Sequence, residues 1–163
     1  MYERGKFMEA RNRYRRSPYA VAEVKGGSKY PKILGSVEFF PYGDGTIVRA
    51  EIANLPQQTA PKDGEPPIGP FGFHIHEFGS CDSKDGVEFA AAGEHYNPTN
   101  EPHPLHAGDL PVLMGNDGYA YLVVYTSRFT PREVVGKTVI IHENPDDFRS
   151  QPSGDSGDRI ACG

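Results

Sequence analysis

The chain has 163 residues, 37% of them hydrophobic, and a formal net charge of −5. This length suits a single domain with a real hydrophobic core, and no apolar run approaches the ~18 residues of a membrane span. An acidic body argues against nucleic-acid binding, which needs a basic surface.

Basic side chains are concentrated at the N-terminus. Residues 1–17 hold six basic and two acidic side chains, so the rest of the chain is more acidic than the total suggests. We predict a flexible basic extension over residues 1–17 and a domain over 18–163; contact of the extension with an anionic surface is the alternative. No apolar segment of a secretory signal is visible, so the default expectation is the cytoplasm, unless processing delivers the chain outside the cell.

Short β-rich runs separated by turns make up most of the remainder. The runs are residues 19–24, 33–42, 46–55, 71–78, 119–125 and 137–143. Gly43, Asp44 and Gly45 predict a hairpin between the second and third runs, and Asn116, Asp117 and Gly118 predict another turn. This pattern predicts an all-β fold, a Greek-key antiparallel β-sandwich or barrel.

Three segments do not fit strands. Residues 56–70 contain five prolines, and residues 79–111 and 144–159 show little periodicity of their own. Loops this long inside a compact domain are usually functional or disordered, and most of the chemically interesting residues lie in the last two. We therefore predict two long functional loops.

All six histidines lie between residues 74 and 142. His74 and His76 are two apart in a predicted strand, so both imidazoles should point to the same face. His95, His103, His106 and Asp109 follow in the first long loop, where prolines 102 and 104 exclude a helix, and the last histidine, His142, lies in the run 137–143. Imidazole suits copper and zinc, so the set predicts two adjacent metal ions.

Each part of this pattern has an ordinary explanation when taken alone. A pair of histidines in a strand can be an exposed polar face, a single histidine such as His142 can be packed, and the loop can be solvated. A β-sandwich interaction module with incidental histidines is therefore one alternative. Two cysteines, Cys81 and Cys162, lie far apart in the chain and do not form a CxxC motif.

Five segments together resemble the copper–zinc superoxide dismutases. They are GFHIHEFG at 72–79, GEHYNP at 93–98, HAGDL at 106–110, VIIHE at 139–143 and GDRIACG at 157–163. The resemblance extends over roughly residues 33–163 and keeps the order of the family's motifs. It implies the family's β-barrel, its cofactors copper (Cu(II)/Cu(I)) and Zn(II), and superoxide as the substrate.

The resemblance also implies a role for each site residue. His74, His76, His95 and His142 would bind copper; His95, His103, His106 and Asp109 would bind zinc, with His95 bridging the two ions. Asp146 would hydrogen-bond one histidine of each site. Without the resemblance, Asp146 and Asp147 are equally well explained as an ordinary solvated acidic pair. Arg159 would guide the anion, and Cys81 and Cys162 would form a disulfide.

The implied reaction is dismutation of superoxide to oxygen and hydrogen peroxide, with Arg159 and His95 as the catalytic residues. A non-enzymatic copper or zinc carrier on the same fold is the alternative. Three departures from the animal enzymes are visible: only two residues separate His103 from His106, the loop 56–70 is longer, and the sequence stops at Gly163 without an apolar tail. The last departure puts the family's homodimer in doubt, and the stretch QPSGDSG at 151–157 looks bacterial.

Overall fold

A computed structural model describes residues 17–163 of the chain. Its seven strands are β1 (Ala20–Gly26), β2 (Leu34–Tyr42), β3 (Gly45–Ala53), β4 (Phe73–His76), β5 (Ala120–Thr126), β6 (Thr138–His142) and β7 (Arg159–Cys162). Two short 3-10 helices, Ala90–Ala92 and Pro131–Val134, lie in the connections. The all-β prediction is confirmed. The predicted basic extension falls almost entirely on residues 1–16, outside the described residues.

The strands form one antiparallel sheet in the order β4-β6-β7-β1-β2-β3-β5. β4 lies at one end of this order, while β3 before it and β5 after it are paired neighbours at the other end. The chain therefore crosses the sheet from β3 to β4 and again from β4 to β5, as Greek-key connections do. The predicted first hairpin is confirmed: Tyr42 pairs with Gly45 across a two-residue turn.

The sheet curls so that its two ends share one core. Phe73 and Ile75 of β4 belong to the same buried cluster as Val48 and Ile52 of β3, and Val124 of β5 packs against it. Burial of this apolar surface is the main favourable contribution to folding. The half-barrel therefore has an apolar inside and an outer face on which the loops rest.

Alternation along β4 places the histidines opposite the core. Phe73 and Ile75 point inwards, so His74 and His76 point to the outer face, because successive side chains of a strand alternate. All four residues are nevertheless buried, since the two long loops 77–119 and 143–158 lie near this end of the sheet.

A disulfide attaches the first long loop to the sheet. Cys81 and Cys162 are bonded, with their Cα atoms 5.8 Å apart. Cys162 pairs with Ile140 of the neighbouring strand, and both belong to a second, small apolar cluster with Phe89 and Ala92 of the loop. The loop is thus fixed to the sheet both covalently and by packing.

Residues 17–163 contain no helix that is long and apolar enough to cross a membrane.

Candidate metal centre

Two groups of ligand atoms adjoin on the outer face of the sheet. In each group, one atom from every side chain lies within 4.8 Å of one atom from every other. The first group is His74, His76, His95 and His142; the second is His95, His103, His106 and Asp109. All seven side chains are buried. The structure therefore brings together every histidine of the chain in the two sets that the sequence resemblance implies.

Different elements supply the members of the first group. His74 and His76 come from β4, and His142 ends β6, the strand that pairs with β4. The β6–β7 register shifts between Ile141 and His142, an irregularity of the kind that re-aims a side chain at a functional site. His95 comes from the loop 77–119, and its backbone forms an isolated antiparallel β-bridge with that of His76.

His95 lies between the two groups. Its Nδ1 is 2.7 Å from Asp109 Oδ1 in the second group, and its Nε2 has no hydrogen-bond partner in the protein. Its ring centroid is 3.9 Å from that of His74. One imidazole thus presents a separate nitrogen to each group, which is the arrangement a bridging ligand requires.

The remaining ring nitrogens identify which atoms are available for metal. Buried nitrogens without a hydrogen bond are His74 Nδ1, His95 Nε2, His103 Nδ1 and His106 Nδ1. The last two lie 3.1 and 3.3 Å from Asp109 Oδ2 but make no hydrogen bond to it. Buried polar atoms in native proteins are almost always hydrogen-bonded, so four such nitrogens within the two groups fit metal ligation. The donor set of imidazoles and one carboxylate suits copper and zinc.

Asp146 contacts one histidine of each group. Its Oδ2 accepts a hydrogen bond from His74 Nε2 at 2.7 Å, and its Oδ1 accepts one from His103 Nε2 at 2.9 Å. The backbone N–H of Phe148 also donates to Oδ1, at 2.7 Å. These contacts fix the rings of His74 and His103 so that Nδ1 of each ring points to its own ligand group.

Backbone carbonyls orient the other two copper candidates. The Gly93 carbonyl accepts from His76 Nδ1 at 2.9 Å, and the Gly157 carbonyl accepts from His142 Nδ1 at 3.3 Å. The two Nε2 atoms consequently face each other 3.4 Å apart. Sequence reasoning did not identify these carbonyls, because a backbone acceptor leaves no side-chain pattern.

Gly154 is a third residue that the sequence did not identify. Its φ is +70°, and a side chain there would run into the Asp146 carboxylate and His103. Only glycine combines this conformation with this close approach. The glycines of the 151–157 stretch were a usable signal, which we interpreted only as a likeness to bacterial sequences.

Burial keeps the histidines of the first group neutral. It lowers the pKa of His74 well below its ordinary value, assisted by the charges of His95 and His142. The pKa of His76 is lowered for the same main reason, and that of His142 falls to about 3. Neutral imidazole is the form that binds metal, so these ligands need not lose a proton first at neutral pH.

Burial also lowers the pKa of His106. For Asp109 burial acts in the opposite sense, but its hydrogen bond with His95 and the charges of the surrounding histidines outweigh this and lower its pKa. The second group therefore offers a carboxylate among neutral imidazoles.

Arg159 is held beside the first group by the long loop. Its Nη1 donates to the Phe89 carbonyl at 2.8 Å and its Nη2 to the Gly93 carbonyl at 2.7 Å. Its charge contributes to lowering the pKa of both His76 and His142, so the guanidinium is near these rings. Because Gly93 also accepts from His76, one carbonyl orients both the arginine and a ligand.

The fold and this pair of adjoining sites define a class: an all-β metalloprotein with a two-ion centre. The family model described as copper/zinc superoxide dismutase (SODC) matches residues 33–163. The chain belongs to this family. The resemblance noted in the sequence is thereby confirmed.

Relatives and solved structures agree with this assignment. The chain is 33% identical over 145 residues to superoxide dismutase [Cu-Zn] 1 of Aquifex aeolicus, covering 80% of this chain and 78% of the relative. It is 33% identical over 150 residues to superoxide dismutase [Cu-Zn] of Deinococcus radiodurans, covering 81% and 76%. The Cu/Zn superoxide dismutase from Brucella abortus superposes with a TM-score of 0.70 at 28% identity, covering 88% of this chain and 97% of that one.

Proposed function

We propose that this chain dismutates superoxide to oxygen and hydrogen peroxide with one copper and one zinc ion. The observation that carries the proposal is the pair of buried ligand sets that share His95. His74, His76, His95 and His142 would hold copper, and His95, His103, His106 and Asp109 would hold zinc. Bound copper would supply the electron relay as Cu(II)/Cu(I), while zinc, which is not redox active, would supply charge and rigidity.

Two residues of the chain act on the reaction: one attracts the substrate and the other relays a proton. The fixed guanidinium of Arg159 attracts the small superoxide anion and orients it at the first group. One superoxide loses an electron and leaves as oxygen; a second gains an electron and two protons and leaves as hydrogen peroxide. Both protons come from solvent water, and His95 Nε2, which has no hydrogen-bond partner in the protein, is placed to relay one of them.

A non-enzymatic copper or zinc carrier is the alternative function. It would be favoured by the loss of a copper ligand or of the arginine beside the site. Both features are present in the described chain, so the dismutase is the better supported proposal.

All seven metal-ligand side chains come from one chain, so we infer that the site is complete without a second copy. A homodimer, which is common in this family, stays a prediction. Sedimentation velocity at several protein concentrations tests it, and activity should not depend on concentration even if the protein dimerises.

The first experiment measures superoxide dismutation with copper and zinc quantified in the same samples. We expect activity to rise in proportion to copper occupancy and to vanish on chelation. Protein that is fully loaded with copper and still inactive would contradict the dismutase and favour the carrier.

Arg159→Gln tests the role of the guanidinium. We expect kcat/KM to fall about tenfold or more at low ionic strength, because an attractive charge at the site raises the encounter rate of an anion. Metal content should not change, and the difference should shrink as salt screens the charge. Arg132→Gln, an exposed arginine on the 3-10 helix Pro131–Val134, is the control. Equal rates for both variants would remove Arg159 from the mechanism.

A further inference from the structure

Arg128 makes an unusual set of contacts with the loop that carries the second ligand group. A single nitrogen, Nη1, approaches three backbone carbonyls: Pro104 at 3.1 Å, His106 at 3.1 Å and Asp109 at 3.3 Å. Two of these carbonyls belong to residues whose side chains are ligand candidates. Arg128 itself contributes no atom to either ligand group.

The loop needs such a partner because of its own shape. Prolines 102 and 104 have no N–H to donate, and residues 101–109 form neither helix nor strand. When a short segment turns so that three carbonyl oxygens point to one place, their partial negative charges repel each other. A cationic donor relieves this repulsion and fixes the turn, and hydrogen bonds from charged donors are stronger than those between neutral groups.

Arg128 is in turn fixed to the barrel. Its backbone N–H donates to Thr126 Oγ1 at the end of β5, at 3.2 Å. The next residue, Phe129, is buried in the core against Phe39, and its carbonyl accepts from the buried Thr46 Oγ1 at 2.8 Å. The guanidinium thus connects a rigid part of the barrel to the ligand loop, although Arg128 as a residue is exposed.

The other end of the loop is held differently. Gln151, from the loop between β6 and β7, accepts from the His103 N–H at 3.0 Å and donates to the His103 carbonyl at 2.7 Å. Its contacts therefore fix the backbone of His103, while those of Arg128 fix the backbones of His106 and Asp109. Of these two side chains, only Arg128 reaches the loop from a residue next to a barrel strand.

We propose that Arg128 is a positioning residue for the zinc site. It holds the loop 104–109 against the barrel so that the ligand atoms of His106 and Asp109 are in place before zinc arrives, and it thereby sets zinc affinity and the rate of zinc loss. The inference rests on the zinc assignment made under the proposed function. It also explains how a loop with only two residues between its histidines can form a defined site.

The test measures metal affinity rather than activity. Arg128→Met keeps the length of the side chain without its charge or donors, Arg128→Lys keeps the charge, and Arg132→Met is the matched control. Each apoprotein is titrated with zinc alone, and separately with copper alone, against a competing chelator. Cobalt(II) bound in place of zinc reports the geometry of that site through its visible absorption.

We expect Arg128→Met to weaken zinc binding about 10–100-fold, the range typical of residues that orient metal ligands. Its cobalt spectrum should change, and Arg128→Lys should recover part of the loss. The copper affinity of Arg128→Met, and both metal affinities of Arg132→Met, should stay within about threefold of the wild type, a change of at most about 0.7 kcal/mol. Circular dichroism of the apoproteins shows whether each variant folds. If Arg128→Met does not fold, the zinc affinity of Arg128→Lys is compared with that of the wild type instead.

Zinc affinity of a folded Arg128→Met variant within twofold of the wild type would overturn the inference. Equal losses of copper and zinc affinity would also overturn it, because they would indicate a general structural role. Failure of the proposed function is separate: wild-type protein that binds both metals but does not dismutate superoxide contradicts the function, while its zinc titrations still decide the role of Arg128.

Discussion

At the scale of single residues, Asp146 has the most constrained position in the centre. Its side chain is completely buried, and each of its two oxygens serves a different histidine. A carboxylate can accept on both oxygens, whereas an amide can accept on only one and must turn its NH₂ group towards the other partner. The two rings can therefore be oriented together only by an acidic residue.

Asp146→Asn tests this requirement. We expect the affinity for at least one of the two metals to fall about 10–100-fold, because one ring loses the acceptor that fixes its tautomer and orientation. Competition titrations of the apoprotein with copper and with zinc measure the effect. Asp117→Asn, at an exposed turn residue that belongs to neither ligand group, should change neither affinity. Unchanged binding of both metals by Asp146→Asn would show that the ligands are held by their other contacts.

The members of the two ligand groups could be found in the sequence, while the residues that orient them could not. His74 and His76 were predictable because the two-residue period of a strand fixes the face on which they lie. Arg128 acts on backbone carbonyls, and the Gly93 carbonyl is itself an acceptor. Neither interaction depends on a spacing between side chains, so only the folded backbone reveals them.

At the scale of elements, the loop 77–119 depends on its attachment to β7. The disulfide lies at one end of the segment that carries the carbonyls of Phe89 and Gly93, to which Arg159 donates. The loop closed by the disulfide spans 81 residues. On the chain-entropy model, closing a loop of this size stabilises the folded state by about 4–5 kcal/mol.

We expect the double variant Cys81→Ser, Cys162→Ala to lose most of this stability. A second expected effect is a larger fall in kcat/KM than in copper content, because the loop positions the arginine while three of the four side chains proposed to bind copper lie on strands. Denaturant unfolding and metal analysis of the same samples measure the two effects. Wild-type protein treated with a reductant should show the same losses of stability and of kcat/KM as the double variant. Full activity of the reduced protein would show that packing of Phe89 and Ala92 suffices to hold the loop.

The exact ends of the strands could not be predicted from the local sequence. β1 was predicted to end at residue 24 but continues to Gly26, because Lys25 and Gly26 pair with β7 at the other end of the chain. β4 was predicted over 71–78 and is shorter, Phe73–His76, because the ladder with β6 covers only these four residues. Both differences come from partners that are distant in sequence.

At the scale of the whole molecule, the buried histidines affect stability as well as metal binding. In the unfolded chain a histidine takes up a proton below a pH of about 6.5. In the folded apoprotein His142 does so only near its lowered pKa of about 3, and His74 and His76 are lowered in the same direction. Between these limits the unfolded state binds more protons, so acid favours unfolding.

The apoprotein should therefore be stable above about pH 6.5 and lose stability as the pH falls towards 3. His142 alone would contribute about 1.4 kcal/mol per pH unit within this window. Urea unfolding at pH 7.5, 6 and 5 measures the change, and metal-loaded protein, whose histidines are blocked from protonation, should lose stability only at lower pH. Identical urea midpoints for the apoprotein at pH 7.5 and 5 would contradict the burial of neutral histidines.

Two side chains, His95 and Asp146, contact both metal groups, and this sharing has a thermodynamic consequence. When the first ion binds, it orders these two residues. The second ion then binds without the free-energy cost of ordering them again. The two binding equilibria are then linked, and linkage is reciprocal: the factor by which zinc raises the affinity for copper equals the factor by which copper raises the affinity for zinc. A shortage of one metal would thus weaken retention of the other.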